Sequence, residues 1–240
     1  MAYRDTLVKA SVTSVPIYAI QTTLLPQKIC HQIDKLSCHF LWGDTDHHKG
    51  CHTVNWETIS LPKEAGGLGI SSTRHRNQAI LMNQAWRLYS NPTSIWATVL
   101  QAKYFSHASV FTSPRTTRGS YIWTALSLGA ELLLKGMRWV VGDGWTIRIW
   151  QDHWLPNDSL CNYIEGPLLP QEEDRRLSSI WSTQTWDFEA LNLPLSPQLQ
   201  DLLQGIPMAC FARLIDHFLW PHNKGTYSIK SASKFLFQHQ

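Results

Sequence analysis

Apolar residues fall along the first hundred positions at helical spacing, interrupted by prolines and glycines. Leu7, Val8, Val12, Val15, Ile17, Tyr18 and Ile20 give residues 4–24 a helical pattern, and Pro16, two places after Ser14, predicts a stop and a fresh helix start. After Pro26, the positions Ile29, Ile33, Leu36, Phe40 and Leu41 mark one apolar face of an amphipathic helix that ends near Gly43. A polar loop follows, then short extended pieces at 54–56 and 68–70, separated by Pro62 and Gly66-Gly67. Ser71 and Ser72 are the expected N-caps of a long helix to about Tyr89, with Ala79, Ile80, Met82, Trp86 and Tyr89 near one face. Asn91-Pro92 stops it, and Ile95, Trp96, Val99 and Leu100 define a further helix to Tyr104. A Ser/Thr/Arg-rich stretch predicts a linker, and residues 120–135 a helix that Gly136 would close with a left-handed turn.

The pattern then changes. Two strand-like runs flank Gly142-Asp143-Gly144, predicting a hairpin with Trp145, Ile147 and Ile149 on one face and Thr146, Arg148 and Trp150 on the other. Residues 151–200 carry repeated prolines without a sustained period, so an irregular connector with a helix near 196–204 is expected. The tail predicts strand, Asn-Lys-Gly turn, strand, and a helix from about Lys230 that is only beginning at Gln240. The fold class is therefore α+β: a mainly helical N-terminal part, then small β-hairpins, an irregular connector and an incomplete domain at the C-terminus.

Composition narrows this picture. The 240 residues are 43% hydrophobic, too apolar for a disordered chain, and enough for one or two domains with a core. Charged residues, at 16%, are scarce, while tryptophan is over-used at 12 copies. The five cysteines are widely spaced with no CxxC pair, and the N-terminus lacks a signal-peptide core, which predicts reduced thiols and an intracellular location, nuclear or cytoplasmic. No apolar run is long enough for a transmembrane helix, so no membrane partner is expected. The net charge of +3 is too small to argue for polyanion binding.

The ordered series Leu7-Val8-Lys9-Ala10, Ser14-Val15-Pro16-Ile17-Tyr18, Phe40-Leu41-Trp42-Gly43 and Val54-Asn55-Trp56 runs on into Pro62-Lys63-Glu64 with Gly66-Gly67-Leu68-Gly69-Ile70. With Gln84-Ala85-Trp86-Arg87-Leu88, Ala102-Lys103-Tyr104-Phe105, Gly142-Asp143-Gly144, Thr146-Ile147-Arg148-Ile149-Trp150 and Trp154-Leu155-Pro156, it resembles plant LINE-type (non-LTR) retrotransposon reverse transcriptases, a group whose relatives often carry a ribonuclease H label. Gly225, Tyr227-Ser228-Ile229-Lys230-Ser231-Ala232 is similar to the opening of the family's zinc-binding domain. The resemblance implies a thumb-like helical region over 1–106, a linker, helix, hairpin and connector over 107–205, and the truncated start of the zinc-binding domain over 206–240. It also implies that the polymerase palm, with its Mg²⁺-holding carboxylates, the zinc ligands and the ribonuclease H domain lie outside this chain. No adjacent Asp pair occurs here, and two-metal phosphoryl transfer needs clustered carboxylates. The expectation is a fragment of an RNA-directed DNA polymerase that is not an enzyme on its own, holds no cofactor and takes no small-molecule substrate.

The remaining candidates have bland competitors. Cys38, His39, His47, His48, Cys51 and His52 contain zinc-ligand chemistry, but the spacing is poor for a tetrahedral site, and a solvated loop is favoured. The Gly66–Gly69 run matches neither a P-loop nor a dinucleotide loop and predicts a tight turn. Glu172-Glu173-Asp174 is expected to be a solvated charge run. A thumb would grip nucleic acid through phosphates, so Lys9, Lys63, Arg74, Arg76 and Arg148 are the candidate contacts for RNA or DNA backbone, weakly and without sequence preference. Arg115, Arg118 and Arg138 extend that track. Arg74 and Arg76 open a helix, where the macrodipole disfavours cations unless an anion is present. Most tryptophans, Trp139 and Trp145 included, are expected in packed positions, some of them on surfaces that the missing polymerase or zinc-binding portions would cover as partners; the alternative role of the chain is a recruited or decayed element-derived protein-interaction module without nucleic-acid function.

Overall fold

The computed structural model describes residues 2–12, 16–44, 50–61, 63, 66–104, 110–111, 119–155, 159–164, 166–182, 185–193, 195–206 and 215–239. Ser14, Pro62 and the linker arginines Arg115 and Arg118 lie outside the described residues, whereas the break expected at Pro16 falls where the helix at Ile17–Thr22 starts. The chain is α+β and mainly helical, as its patterning predicts. It divides into two compact units, Met1–Gly136 with Tyr227–Gln240, and Met137–Thr226. The boundaries expected at 106 and 205 fall inside these units, and the tail from 206 is shared between them.

The first unit is built from α1 (Ala2–Leu7), π-helical turns at Val8–Val12, α2 (Ile17–Thr22), α3 (Gln27–Trp42), α4 (Trp56–Ile59), α5 (Thr73–Ser90), α6 (Ile95–Tyr104) and α7 (Tyr121–Gly136). The helix at Ile229–Gln238, α10 in chain order, completes it. α5 is its axis and packs against α2, α3, α7 and α10. Ala79, Ile80, Leu81, Met82, Ala85 and Leu88 are buried on α5, and Trp123, Ala125, Leu126, Ala130 and Leu133 are buried on α7, which packs against it. Their close approach needs Gly129: a Cβ there would lie 2.5 Å from the Leu81 carbonyl oxygen. Asn77 is buried without cost to its amide. Its Nδ2 donates to the Ile20 and Thr23 carbonyls at 2.9 Å each, and its Oδ1 accepts from Leu25 N at 2.9 Å, tying off the end of α2. Tyr227 donates its hydroxyl to the Ala79 carbonyl at 2.6 Å and stacks on Trp86, anchoring α10 through Ala232, Phe235 and Leu236.

Three local expectations are corrected in this unit. The apolar stripe of α3 is only partly buried: Leu41 is buried and Ile33 half-buried, but Leu36 is 66% exposed, Phe40 43% and Ile29 39%, while Cys30 and Ser37 fill the inner side with Leu41. The extended piece at 54–56 is a helix start, because the Asn55 side chain accepts the Thr58 amide at 2.8 Å and caps α4. Gly136 is not among the left-handed glycines and remains within α7, whereas Gly43 closes α3 with φ 77° as expected.

The second unit pairs β1 (Arg138–Val140) with β4 (His217–Leu219), antiparallel, with Arg138 opposite Leu219 and Val140 opposite His217. A hairpin of β2 (Trp181–Ser182) and β3 (Thr185–Trp186), a short helix α8 (Pro170–Glu173), and α9 (Pro197–Gln204) lie between them. The core gathers Ile147, Ile149, Trp150, Trp154, Leu160, Leu177, Ile180, Leu199 and Leu203. The predicted Gly142-Asp143-Gly144 hairpin is absent from the described residues. β1 pairs with a strand far along the chain, and residues 142–146 form a loop in which the Gly142, Gly144 and Thr146 amides donate to one carboxylate, that of Asp216. The predicted alternation fails with it: Ile147, Ile149 and Trp150 are all fully buried, while Trp145 is 71% exposed.

Candidate nucleic-acid interface

The five candidate cations occupy different settings. The Lys9 ammonium donates to Asp5 Oδ2 and to the Leu68 carbonyl, each at 2.8 Å, and so fastens the first helical segment to the Gly-rich turn. Lys63 is exposed, and its stem lies over Gly69 of the same turn, where a Cβ would come within 3.4 Å of Lys63 Cγ. Gly66 and Gly69 both take left-handed φ, 84° and 70°, as a tight turn requires. The turn therefore brings Lys9 and Lys63 against the same few residues, with Lys9 already internally bound.

Arg74 and Arg76 sit in the first turn of α5. Ser72 accepts the His75 amide at 3.4 Å, as an N-cap does. The anion expected at this helix start comes from the chain itself: Asp34 Oδ1 accepts the Thr73 amide at 2.9 Å and the Thr73 hydroxyl at 2.6 Å. Arg76 lines a small cleft with Asp34, Trp56, Ile70 and Thr73, and burial pushes its guanidinium below the ordinary value. Arg74 is exposed. In the second unit Arg148 is shared between Asp152, at 3.6 Å, and Asp174, at 4.0 Å. Lys63 and Arg74 are thus the more openly presented of the candidates.

The chain is similar to two proteins of Arabidopsis thaliana. One, named "Putative ribonuclease H protein", is 31% identical over 98% of this chain, which spans 39% of that protein's length. The other, named "Uncharacterized mitochondrial protein", is 29% identical over 61% of this chain and 96% of its own. No protein-family profile matches the chain, and no solved structure matches it.

Three acidic residues with structural work to do escape sequence reasoning. Asp34 is the first. Glu172, expected as a solvated charge, is fully buried. Its Oε2 accepts from Trp150 Nε1 at 2.9 Å, and its Oε1 from Arg175 at 2.6 Å and Asn192 Nδ2 at 2.6 Å. Burial alone would raise its pKa, but these hydrogen bonds outweigh it and hold the carboxyl below its ordinary value. Asp216 takes Gly142 N at 2.7 Å and Gly144 N at 2.9 Å on one oxygen, and Thr146 N at 2.9 Å and Thr146 Oγ1 at 2.7 Å on the other. Its pKa is lowered in the same way, against its own burial. The available signal was the Gly-x-Gly-x-Thr spacing, a row of small residues with free amides; nothing local points to an acceptor some seventy positions on.

The zinc-like cluster is only partly described. His47 and His48 lie outside the described residues, and among those described no group of three His, Cys, Asp or Glu is placed to hold a metal. His52 instead contacts Asp44 at 2.9 Å and stacks on Trp42. Cys30, Cys38, Cys51 and Cys161 are free thiols. No described helix is long and apolar enough to cross a membrane.

Proposed function

We propose that this chain is the non-catalytic middle of a LINE-type RNA-directed DNA polymerase, and that by itself it contributes weak, sequence-independent contact with the RNA or DNA backbone. The observation that carries the reading is the ordered motif series from Leu7 to Ala232, together with similarity running along 98% of the chain to a much longer protein with a ribonuclease H name. The exposed Lys63 and Arg74 supply phosphate-directed charge. The chain lacks the adjacent Asp pair that holds polymerase metals, so on this reading it does not itself carry the Mg²⁺-dependent polymerisation step. The test is twofold. Purified chain with primed template, nucleotides and Mg²⁺ should yield no extension product, and binding to a labelled duplex should weaken steeply as salt rises. Extension by this chain, or duplex affinity independent of salt, refutes the reading.

A second reading has one observation in its favour: the outward stripe of Ile29, Leu36 and Phe40 on α3 suits a protein-interaction module. That reading predicts no nucleic-acid binding even at low salt.

A further inference from the structure

All twelve tryptophans lie among the described residues, and every one except Trp145 is buried or half-buried. Trp145 leaves an indole 71% exposed, although burying an aromatic side chain is worth about 1.5–3 kcal/mol. The exposure does not come from a loose loop. On one side Gly142 and Gly144 are tied to Asp216, on the other Thr146 is tied to it twice. The Trp145 amide donates to Asp143 Oδ1 at 3.2 Å, and the Gly144 carbonyl accepts Ser178 N at 2.9 Å. The backbone that carries the ring is held along its whole length, at a turn that Gly144 allows with φ 71°.

One residue along from the ring, the Thr146 carbonyl accepts an N–H of the Arg176 guanidinium at 2.7 Å; Arg176 is itself exposed, and a guanidinium carries four further donors. Arg148 sits opposite Arg176 in an antiparallel bridge. The acids nearby are Asp143, on the Trp145 amide, Asp152, on Arg148, and Asp174, 4.0 Å from Arg148. They offset the arginines, so charge alone makes a poor attraction here and the flat ring is the main asset.

We propose that Trp145 and Arg176 form a binding site for unpaired nucleotides: the indole stacks on a base, and the guanidinium takes the neighbouring phosphate. Every base has a π-face, so the site is tolerant of sequence, and a pre-fixed ring loses little freedom on binding. Paired bases in a duplex offer no such face. The inference rests on the reading that the chain meets nucleic acid and names the class, single strands, that this site takes.

The experiment measures fluorescence anisotropy of a short labelled oligothymidylate and of a duplex of equal length against the 240-residue chain. Trp145→Ala should weaken single-strand binding by about 5- to 100-fold while leaving duplex binding unchanged, and Trp145→Phe should retain most of the affinity. Arg176→Gln should flatten the salt dependence of single-strand binding. Single-strand affinity that is the same for W145A and the native chain overturns this inference and leaves backbone binding standing, as does equal loss on both ligands. Failure of the native chain to bind either ligand at low salt overturns both.

Discussion

Asp216 is the point at which a single atom exchange tests the second unit. In Asp216→Asn, the retained oxygen still serves Gly142 N and Gly144 N, but the new amide nitrogen faces the Thr146 amide, donor against donor. The Thr146 hydroxyl can rotate to accept, so one part-buried backbone N–H is orphaned, at about 1–3 kcal/mol. The two glycine bonds also lose their charge assistance, which roughly halves such bonds. The expected loss is about 2–4 kcal/mol. Asp216→Ala orphans three amides and should cost more, a large share of the roughly 5–15 kcal/mol that holds a typical domain. Urea unfolding followed by tryptophan fluorescence reads the total, and amide exchange at Gly142, Gly144 and Thr146 reads the loop. A D216N midpoint within about 0.5 kcal/mol of the native chain, with unchanged exchange at Thr146, would refute the claim that this carboxylate holds the loop.

Three further outcomes follow from the same geometry. Asp216 and Glu172 both titrate below their ordinary values of 3.8 and 4.5, so their contribution is complete above those values and is lost as pH falls through the folded-state values; the urea midpoint should drop below about pH 4, less so in D216N, and a midpoint that rises on acidification contradicts this. Gly129→Ala pushes a Cβ against the Leu81 carbonyl and should destabilise the first unit by about 1–3 kcal/mol despite the better helix propensity, checked by thermal melting. Leu36→Lys should change stability by less than about 0.5 kcal/mol, whereas a loss above about 2 kcal/mol would show the α3 stripe to be buried after all.

Legibility in the sequence followed the range of the interaction. Helices set by local caps and breakers were readable: α3 from Pro26 to Gly43, α5 from Ser72 to Asn91, α9 from Ser196 to Gly205. What depended on distant partners was not. The run after Met137 carries strand-like composition, but β1 finds its partner at His217–Leu219, and the residues after Gly144 are claimed by Asp216 and by the core around Trp150. Glu172 looked solvated because its neighbours Glu173 and Asp174 are, yet Trp150, Arg175 and Asn192 converge on it from three segments. Of the candidate site, the residue types were legible and the occupancy was not. Lys9 and Arg148 carry the right charge, but Asp5, Leu68, Asp152 and Asp174 already use it.

The α3 stripe and Trp145 expose the same weakness in reading apolar spacing as burial. Periodicity says that a set of residues shares one side of an element; it does not say which surface that side meets. In α3 the inward side is chosen by Asp34, which must reach Thr73 at the start of α5, and by Cys30 and Leu41 on the same side. A rotation that buried Leu36 and Phe40 would pull the Asp34 carboxylate off α5 and leave the Thr73 amide unpaired. One polar contact of about 1–3 kcal/mol therefore opposes a larger apolar gain, and it prevails only because Leu41, Cys30 and Ser37 fill the inner face without Leu36. Asp34→Ala separates these terms. If the polar contact sets the helix phase, the variant loses about 1–2 kcal/mol and Leu36 becomes protected from solvent labelling. If Leu41 and Cys30 set it, stability falls by the same amount while Leu36 stays exposed. Unchanged stability in Asp34→Ala would refute the cap itself.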